Sequence, residues 1–434
     1  MCLNGETYVK KKILHIAAHL GGGAGKAVSG LAIGLNSYFD NEVILLEKPE
    51  QERYVDLCKE NEIQVNMVSS TSELIKRIES TDYVIFSWWG HPLSHEVYMA
   101  LSQTETIVFL WSHVNGLHYP HLMPELIELF DGAFFTSGCT YENVGWTKEQ
   151  QVQIRDGSEI VYGIGLFKPE EVPNKKSYGT NDIVKIGYSG TINYNKMNVT
   201  FPQICSKLRE QIPNIQIYMY GLYDEDVYRS FVVYDNALAD VMHFEGFVND
   251  IEARLSNLDV FCYPLNEQNF ATTENALLEA MAVGLPVVVL NNPAERAIIT
   301  HGVDGLIAKD VNEMVEYVVK LSNDNSLAQT IGQNARNSII ARYDSVVNAS
   351  KCAEYMNGFE SVEKHKHDFL SVVGDSAGAN YLYFTKMDRE LYIHKAKQNE
   401  LPEILCGEAK GSLKHYLNYY SDEILEELKN VQGV

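Results

Sequence analysis

Long apolar runs are missing from this 434-residue chain. None approaches the roughly 18 residues that a bilayer-spanning helix needs, and the opening Met1-Cys2-Leu3-Asn4-Gly5-Glu6 has no signal-peptide core. Both absences point to an intracellular chain. Paired cysteines are missing as well. The seven present (Cys2, Cys58, Cys139, Cys205, Cys262, Cys352, Cys406) are odd in number and dispersed, so free thiols in a reducing compartment are expected, not a disulfide framework. Basic residues are few: 35 Lys and Arg against 58 Asp and Glu leave a net charge of -23, which argues against a nucleic-acid partner. An anionic ligand must therefore be held by local positive groups. The one dense basic cluster, Lys10-Lys11-Lys12, reads as a solvated lead-in to a strand and leaves a peripheral membrane contact open. Present in ordinary measure are apolar residues, 45%, and charged ones, 21%, as in a globular protein too long for one core.

Residues 13–18 read as a buried strand, followed by a glycine-rich loop to Gly25 and a helix over 26–37. Further strands are expected at 41–46, 83–87, 106–111 and 132–136, with helices such as 71–78 and 124–129 between them. This alternation predicts a parallel sheet covered by helices on both faces. A second such series begins near Ile183, after the polar stretch 173–180. The expected division is an acceptor-side Rossmann-like domain over 1–170, a donor domain over 171–350, and a mostly helical extension over 351–434. A ligand cleft is expected at the carboxyl ends of both sheets. The extension holds Tyr381, Tyr383, Phe384, Tyr392, Tyr416, Tyr419 and Tyr420, aromatics that call for packing partners. Oligomer contact and acceptor-site cover are both open roles for it.

The most informative stretch is 272–289. Thr273 suits an N-cap, Ala276, Leu277, Ala280 and Met281 form an apolar stripe, and Gly284 with Pro286 supplies the stop. Residues 287–290 are then a strand apolar on both faces. The helix start offers N–H groups and partial positive charge to a phosphate, through Thr272, Thr273, Glu274, Asn275 and Ala276. Glu279 falls in the second turn, where a carboxylate can take hydrogen bonds from sugar hydroxyls.

The run from His19 to Ala27 is not a nucleoside-triphosphate loop: Leu20 stands where its first glycine is required and Ala27 where Ser or Thr is. Gly22 and Gly23 fit close backbone approach to a diphosphate or sugar. His113 ends an apolar strand and is placed to orient a donor sugar. Ser87-Trp88-Trp89-Gly90-His91 ends another, its aromatics lining an acceptor site or covering the core. Asp224-Glu225-Asp226 reads as a tight acidic turn and His365-Lys366-His367 as a solvated helix face. No metal site and no cofactor are expected.

Residues 277–287, then Pro293-Ala294-Glu295 and Gly302-Val303-Asp304-Gly305-Leu306-Ile307, resemble the group 1 (family 4) glycosyltransferases of GT-B fold. Upstream, Ile186-Gly187-Tyr188-Ser189-Gly190 and Lys196 are similar to the strand, glycine and phosphate-binding lysine that open that family's donor domain. Gly221 and Val248 fall at the ends of its next two strands. The resemblance implies two Rossmann-like domains facing a cleft and a metal-independent, retaining transferase, cytoplasmic and bacterial, in polysaccharide biosynthesis. It would move a sugar from a nucleotide diphosphate donor to a glycan, lipid-linked or small-molecule acceptor. In that scheme Lys196, Asn275 and Ala276 hold the diphosphate, Glu279 the ribose, and His113 the sugar. Two positions depart from the pattern: Thr191 replaces an arginine beside Gly190, and Ala271 replaces the first of two glutamates eight positions apart. These departures support an alternative, a catalytically silent subunit that binds nucleotide sugar for a partner enzyme.

Overall fold

A computed structural model describes residues 10–175, 177–179, 182–270, 272–385, 411–420 and 424. The chain forms two compact units: residues 1–166 with 345–434, and residues 167–344. The expected third region therefore belongs to the first unit, and the divisions fall at 166/167 and 344/345.

The first unit is built on β1 (Lys12–Ala17), β2 (Asp40–Leu45), β3 (Gln64–Met67), β4 (Tyr83–Trp88), β5 (Glu105–Ser112), β6 (Gly132–Phe135) and β7 (Ser158–Ile160). Their order is β3-β2-β1-β4-β5-β6-β7, all parallel. Every residue of β4 is buried, as a strand covered by helices on both faces requires. The second unit carries β8 (Val184–Ser189), β9 (Ile215–Tyr220), β10 (Met242–Gly246), β11 (Val260–Tyr263), β12 (Val287–Leu290) and β13 (Leu306–Ala308). They run parallel in the order β10-β9-β8-β11-β12-β13. A last strand, β14 (His365–Lys366), pairs antiparallel with the start of β5, below the point where β6 joins at Phe109.

Sequence periodicity located most strands but passed over β3, β7 and β14. The first two are only half-buried, so their apolar alternation is weak. His365-Lys366-His367 is corrected from a helix face to this edge strand, with His367 buried. The first helix also begins earlier than expected, at Gly22, so Gly22 and Gly23 form its opening turn. Gly25 explains why: its N–H bonds to the Gly21 carbonyl at 2.9 Å, and a Cβ there would lie 2.5 Å from the Leu20 backbone. Lys10 and Lys11 are tied to the unit, donating to the Asn36 carbonyl at 2.6 Å and the Tyr83 hydroxyl at 2.7 Å.

The chain returns to the first unit through the helix Ser345–Asn357, which packs on the helix Gly22–Leu35. Small residues allow the approach, since a Cβ on Gly34 would sit 2.8 Å from that of Ala349. Asn348 locks it: its side chain accepts from the Tyr162 N–H at 2.8 Å and donates to the Tyr162 carbonyl at 2.9 Å. Beyond it, Tyr381, Leu413, Tyr416 and Ile424 form a small core, and Phe384 packs on Trp88. Tyr392 lies outside the described residues. Cys58, Cys139, Cys205, Cys262 and Cys352 are buried free thiols. Among the described residues no helix is long and apolar enough to cross a membrane.

Gly30 is the tightest point of the first helix, where an added Cβ would lie 2.3 Å from the Gly165 backbone. Gly30→Ala should cost about 1–3 kcal/mol, since backbone must shift to admit the methyl. A thermal melt checks this; an unchanged midpoint would show the contact to be slack.

Candidate functional site

Each sheet has a point where strand order reverses, between β8 and β11 in the second unit and between β1 and β4 in the first. Open parallel sheets bind ligands at the carboxyl ends beside such a point. The predicted residues gather at these two places.

In the second unit β8 ends at Ser189-Gly190. Gly190 has φ +130 and Gly221, after β9, has φ +143, values that favour glycine. The two turns touch, because a Cβ on Gly221 would lie 1.8 Å from the Gly190 carbonyl oxygen. A Cβ on Gly190 would meet the Lys196 Nζ at 3.3 Å. Lys196 Nζ lies 3.2 Å from Glu274 Oε2, with the lysine 28% and the glutamate 2% exposed. Tyr263, at the end of β11, donates to the same Oε2 at 2.5 Å, and its ring centroid is 5.7 Å from Nζ. Glu274 is thus a central, buried partner of Lys196, a role the sequence pattern did not give it.

The helix after this loop is Asn275–Val283, one residue later than predicted, with Glu274 instead of Thr273 at the N-cap position. Glu274 makes no side-chain capping bond, because its carboxylate turns to Tyr263 and Lys196. Gly284 closes the helix at φ +86, in the expected left-handed conformation. Glu279 is half-buried on the second turn, Thr272 is buried, and Thr273, Asn275 and Ala276 complete the loop and helix start. Thr191 is exposed, and its carbonyl accepts from the Tyr188 hydroxyl at 3.1 Å. Val248 follows β10, and Glu267 is exposed in a turn. Ala271 lies outside the described residues.

Glu295 was not predicted as a site residue. It is buried, accepts from Asn292 Nδ2 at 2.9 Å, and its carboxyl is pushed up to about 8, first by burial and then by the Glu274 charge. It is therefore neutral near pH 7. Its tripeptide Pro293-Ala294-Glu295 was visible in the sequence, but nothing in that pattern signalled burial beside a second acid. The Asp224-Glu225-Asp226 run occupies the cap and first turn of the helix Glu225–Tyr234, where acids suit the helix dipole.

In the first unit, β1, β2, β4 and β5 lead to His19, Glu47, His91 and His113. The His113 N–H donates to the Trp88 carbonyl at 2.8 Å, and its ring lies 4.4 Å from that of Trp111 and 5.8 Å from that of Trp89. Trp88 and Trp89 are buried, which favours the core-covering role for this pair. Glu47 receives Tyr419 from the extension at 2.5 Å, and its Oε1 lies 3.2 Å from His91 Nε2 and 3.8 Å from His19 Nε2. Burial alone would raise the Glu47 carboxyl, but the bonds from His91 and Tyr419 hold it below its ordinary range. Each histidine accepts a backbone N–H at Nδ1, from Gly21 at 3.0 Å and Leu93 at 3.2 Å, so each carries its proton on Nε2, facing Glu47. A Cβ on Gly22 or Gly23 would meet no protein atom within 4 Å, in keeping with a surface for backbone approach.

Comparison with known proteins fits this geometry. The HepE protein of Anabaena, solved in complex with UDP-glucose, superposes with a TM-score of 0.62 at 15% identity, covering 80% of this chain and 100% of that one. The two parallel-sheet units are accordingly those of the GT-B fold. Residues 183–324 match the family described as "Glycosyl transferases group 1". The likeness to the group 1 glycosyltransferases rests on this segment. The capsular polysaccharide biosynthesis glycosyltransferase CapM of Staphylococcus aureus is 30% identical over 102 residues, 23% of this chain and 26% of that protein. The putative glycosyltransferase EpsD of Bacillus subtilis is 22% identical over 261 residues, 57% of this chain and 65% of that protein. The matched stretches thus cover less than two thirds of these relatives.

Glu295 generates a pH prediction. Its carboxyl is raised from 4.5 to about 8 on folding, so its contribution to stability is full below about 4.5 and lost as pH rises through about 8. The slope cannot exceed about 1.4 kcal/mol per pH unit. Glu295→Gln keeps the acceptor for Asn292 and should flatten the fall in urea midpoint between pH 5.5 and 7.5. Parallel profiles for the two proteins would mean that Glu295 ionises normally.

Proposed function

We propose that this protein transfers a sugar from a nucleoside diphosphate donor to a glycan or lipid-linked acceptor, with retention and without a metal in the reaction. The observation that carries the reading is Lys196 at the switch point of the second sheet, 3.2 Å from Glu274 and beside the start of the helix Asn275–Val283. A cation and a helix N-terminus converge where a diphosphate's charge would need compensation. HepE, bound to UDP-glucose, is a solved neighbour whose ligand has this chemistry.

The donor diphosphate competes with Glu274 for the Lys196 ammonium. Tyr263 keeps its hydrogen bond to Glu274, so the carboxylate retains a donor when the lysine turns away. Charge grows on the leaving phosphate as the glycosidic bond breaks, and Lys196 opposes it most strongly there. That phosphate takes the acceptor's proton, so the scheme needs no separate protein base. Glu279, further along the same helix, accepts from the ribose hydroxyls, while Gly190 and Gly221 let the backbone approach. In the first unit, Gly22, Gly23 and His113 serve the donor sugar. Thr191 in place of arginine leaves Lys196 to carry the phosphate charge. The relatives named above are called glycosyltransferases, which favours an enzyme over a silent subunit.

Two substitutions test this. Lys196→Ala should lower kcat by about 10²-fold while changing nucleoside monophosphate affinity far less. Untouched steady-state kinetics across a panel of nucleotide sugars would remove Lys196 from the reaction. Glu279→Gln should weaken nucleotide binding about tenfold or more in calorimetric titration, since hydrogen bonds to a charged group are worth about 1.5–3 kcal/mol each. Equal affinity would place the ribose elsewhere.

A further inference from the structure

Among the described residues, the first unit contains two clusters of histidine and carboxylate that bring metal-ligating atoms within 4.8 Å of one another: His19, Glu47 and His91, and Asp131, His365 and His367. The ring nitrogens facing away from each cluster separate them. A metal-binding imidazole coordinates through one bare nitrogen and donates the N–H of the other to a neighbouring acceptor. His19 and His91 are held the wrong way round. Their Nδ1 atoms accept backbone N–H groups, so their Nε2 atoms carry protons and serve Glu47 as donors.

The second cluster is the reverse. His367 Nδ1 faces the Leu129 carbonyl at 2.9 Å and His365 Nδ1 faces the Glu363 carbonyl at 3.3 Å. A carbonyl only accepts, so both Nδ1 atoms are donors; this leaves His365 Nε2 to act as a ligand, and His367 Nε2 joins it by giving up its contact with the Thr106 carbonyl. His365 Nε2 lies 3.5 Å from Asp131 Oδ1 and His367 Nε2 lies 3.4 Å from Asp131 Oδ2. Ligands at about 2.0 Å from a tetrahedral zinc ion are about 3.3 Å apart, so these separations need little adjustment. Asp131 has its own support, since Oδ2 accepts the Val108 N–H at 2.7 Å. The Thr106 carbonyl also faces His367 Nε2, at 3.1 Å. Two imidazole nitrogens, a carboxylate and a carbonyl thus converge, and a proton or a cation must reconcile them.

We infer that Asp131, His365 and His367 form a structural site for a divalent zinc-like cation. Two imidazoles and one carboxylate suit zinc over magnesium or calcium, which prefer all-oxygen sets. The fourth position falls to water on the exposed side of His365, whose side chain is 50% accessible. The site lies at the amino end of β5, opposite the sheet ends that carry the proposed transferase chemistry, and takes no part in it. Its work is mechanical. A strand of the length of β14 (His365–Lys366) forms too few ladder bonds to hold itself, and the ion would fasten the segment after the returning helix to the sheet edge.

The test uses the untagged full chain, stripped with EDTA and titrated with zinc chloride by calorimetry. One zinc per chain is expected, with magnesium chloride giving no heat of binding. His365→Ala, at a half-exposed position that spares the fold, should weaken zinc binding by at least about tenfold. His91→Ala should leave it unchanged. Binding below one equivalent, or binding indifferent to His365→Ala, would overturn the proposal. Loss of binding in His91→Ala instead would move the ion to the other cluster and overturn it equally.

Discussion

A parallel sheet covered on both faces leaves polar chemistry few places to go. Strands such as β4 and β12 are buried along their whole length, so they have no face on which a charge can meet water. Side chains that must reach a ligand are pushed to the loops at the carboxyl ends, and the reversal of strand order opens those loops on both sides. In the second unit this constraint gathers Gly190, Lys196, Gly221, Tyr263 and Glu274 from separate stretches of chain. In the first it gathers His19, Glu47, His91 and His113.

Within the second gathering the electrostatics are set by sharing a few protons among buried acids. Tyr263 and Lys196 both address one oxygen of Glu274. Burial and then the neighbouring Glu274 hold Glu295 neutral, with Asn292 as its donor. A lysine standing beside one compensated carboxylate is a replaceable partner for an incoming anion. Had both acids been ionised, the lysine would be held by two charges and the loop would repel phosphate.

The sequence made legible what repeats locally. Apolar runs marked most strands, and Ala276, Leu277, Ala280, Met281 and Gly284 marked the helix Asn275–Val283 to within a residue. Gly190 and Lys196 were placed together by the family resemblance, which one short run of chain carries. Harder to read was whatever depends on distant partners. Glu274 read only as part of the helix start, since nothing local shows its side chain turning from the helix toward Tyr263. His365-Lys366-His367 looked solvated, because the edge it pairs with lies at Glu105 and Thr106, far back in the chain. The burial of Trp88 likewise draws on cover from Phe384 in the extension.

The first unit is interrupted in sequence: residues 1–166 are completed by residues 345–434, while the second unit is one continuous segment. Synthesis runs in one direction, so the second unit is whole before the helix Ser345–Asn357 exists. Until then the small-residue face around Gly34 lacks its Ala349 neighbour, and the Tyr162 backbone lacks Asn348. The nascent first unit must wait with an unsealed face for the rest of the protein to emerge. A stretch made after the second unit is therefore the closing stitch of a domain begun before it.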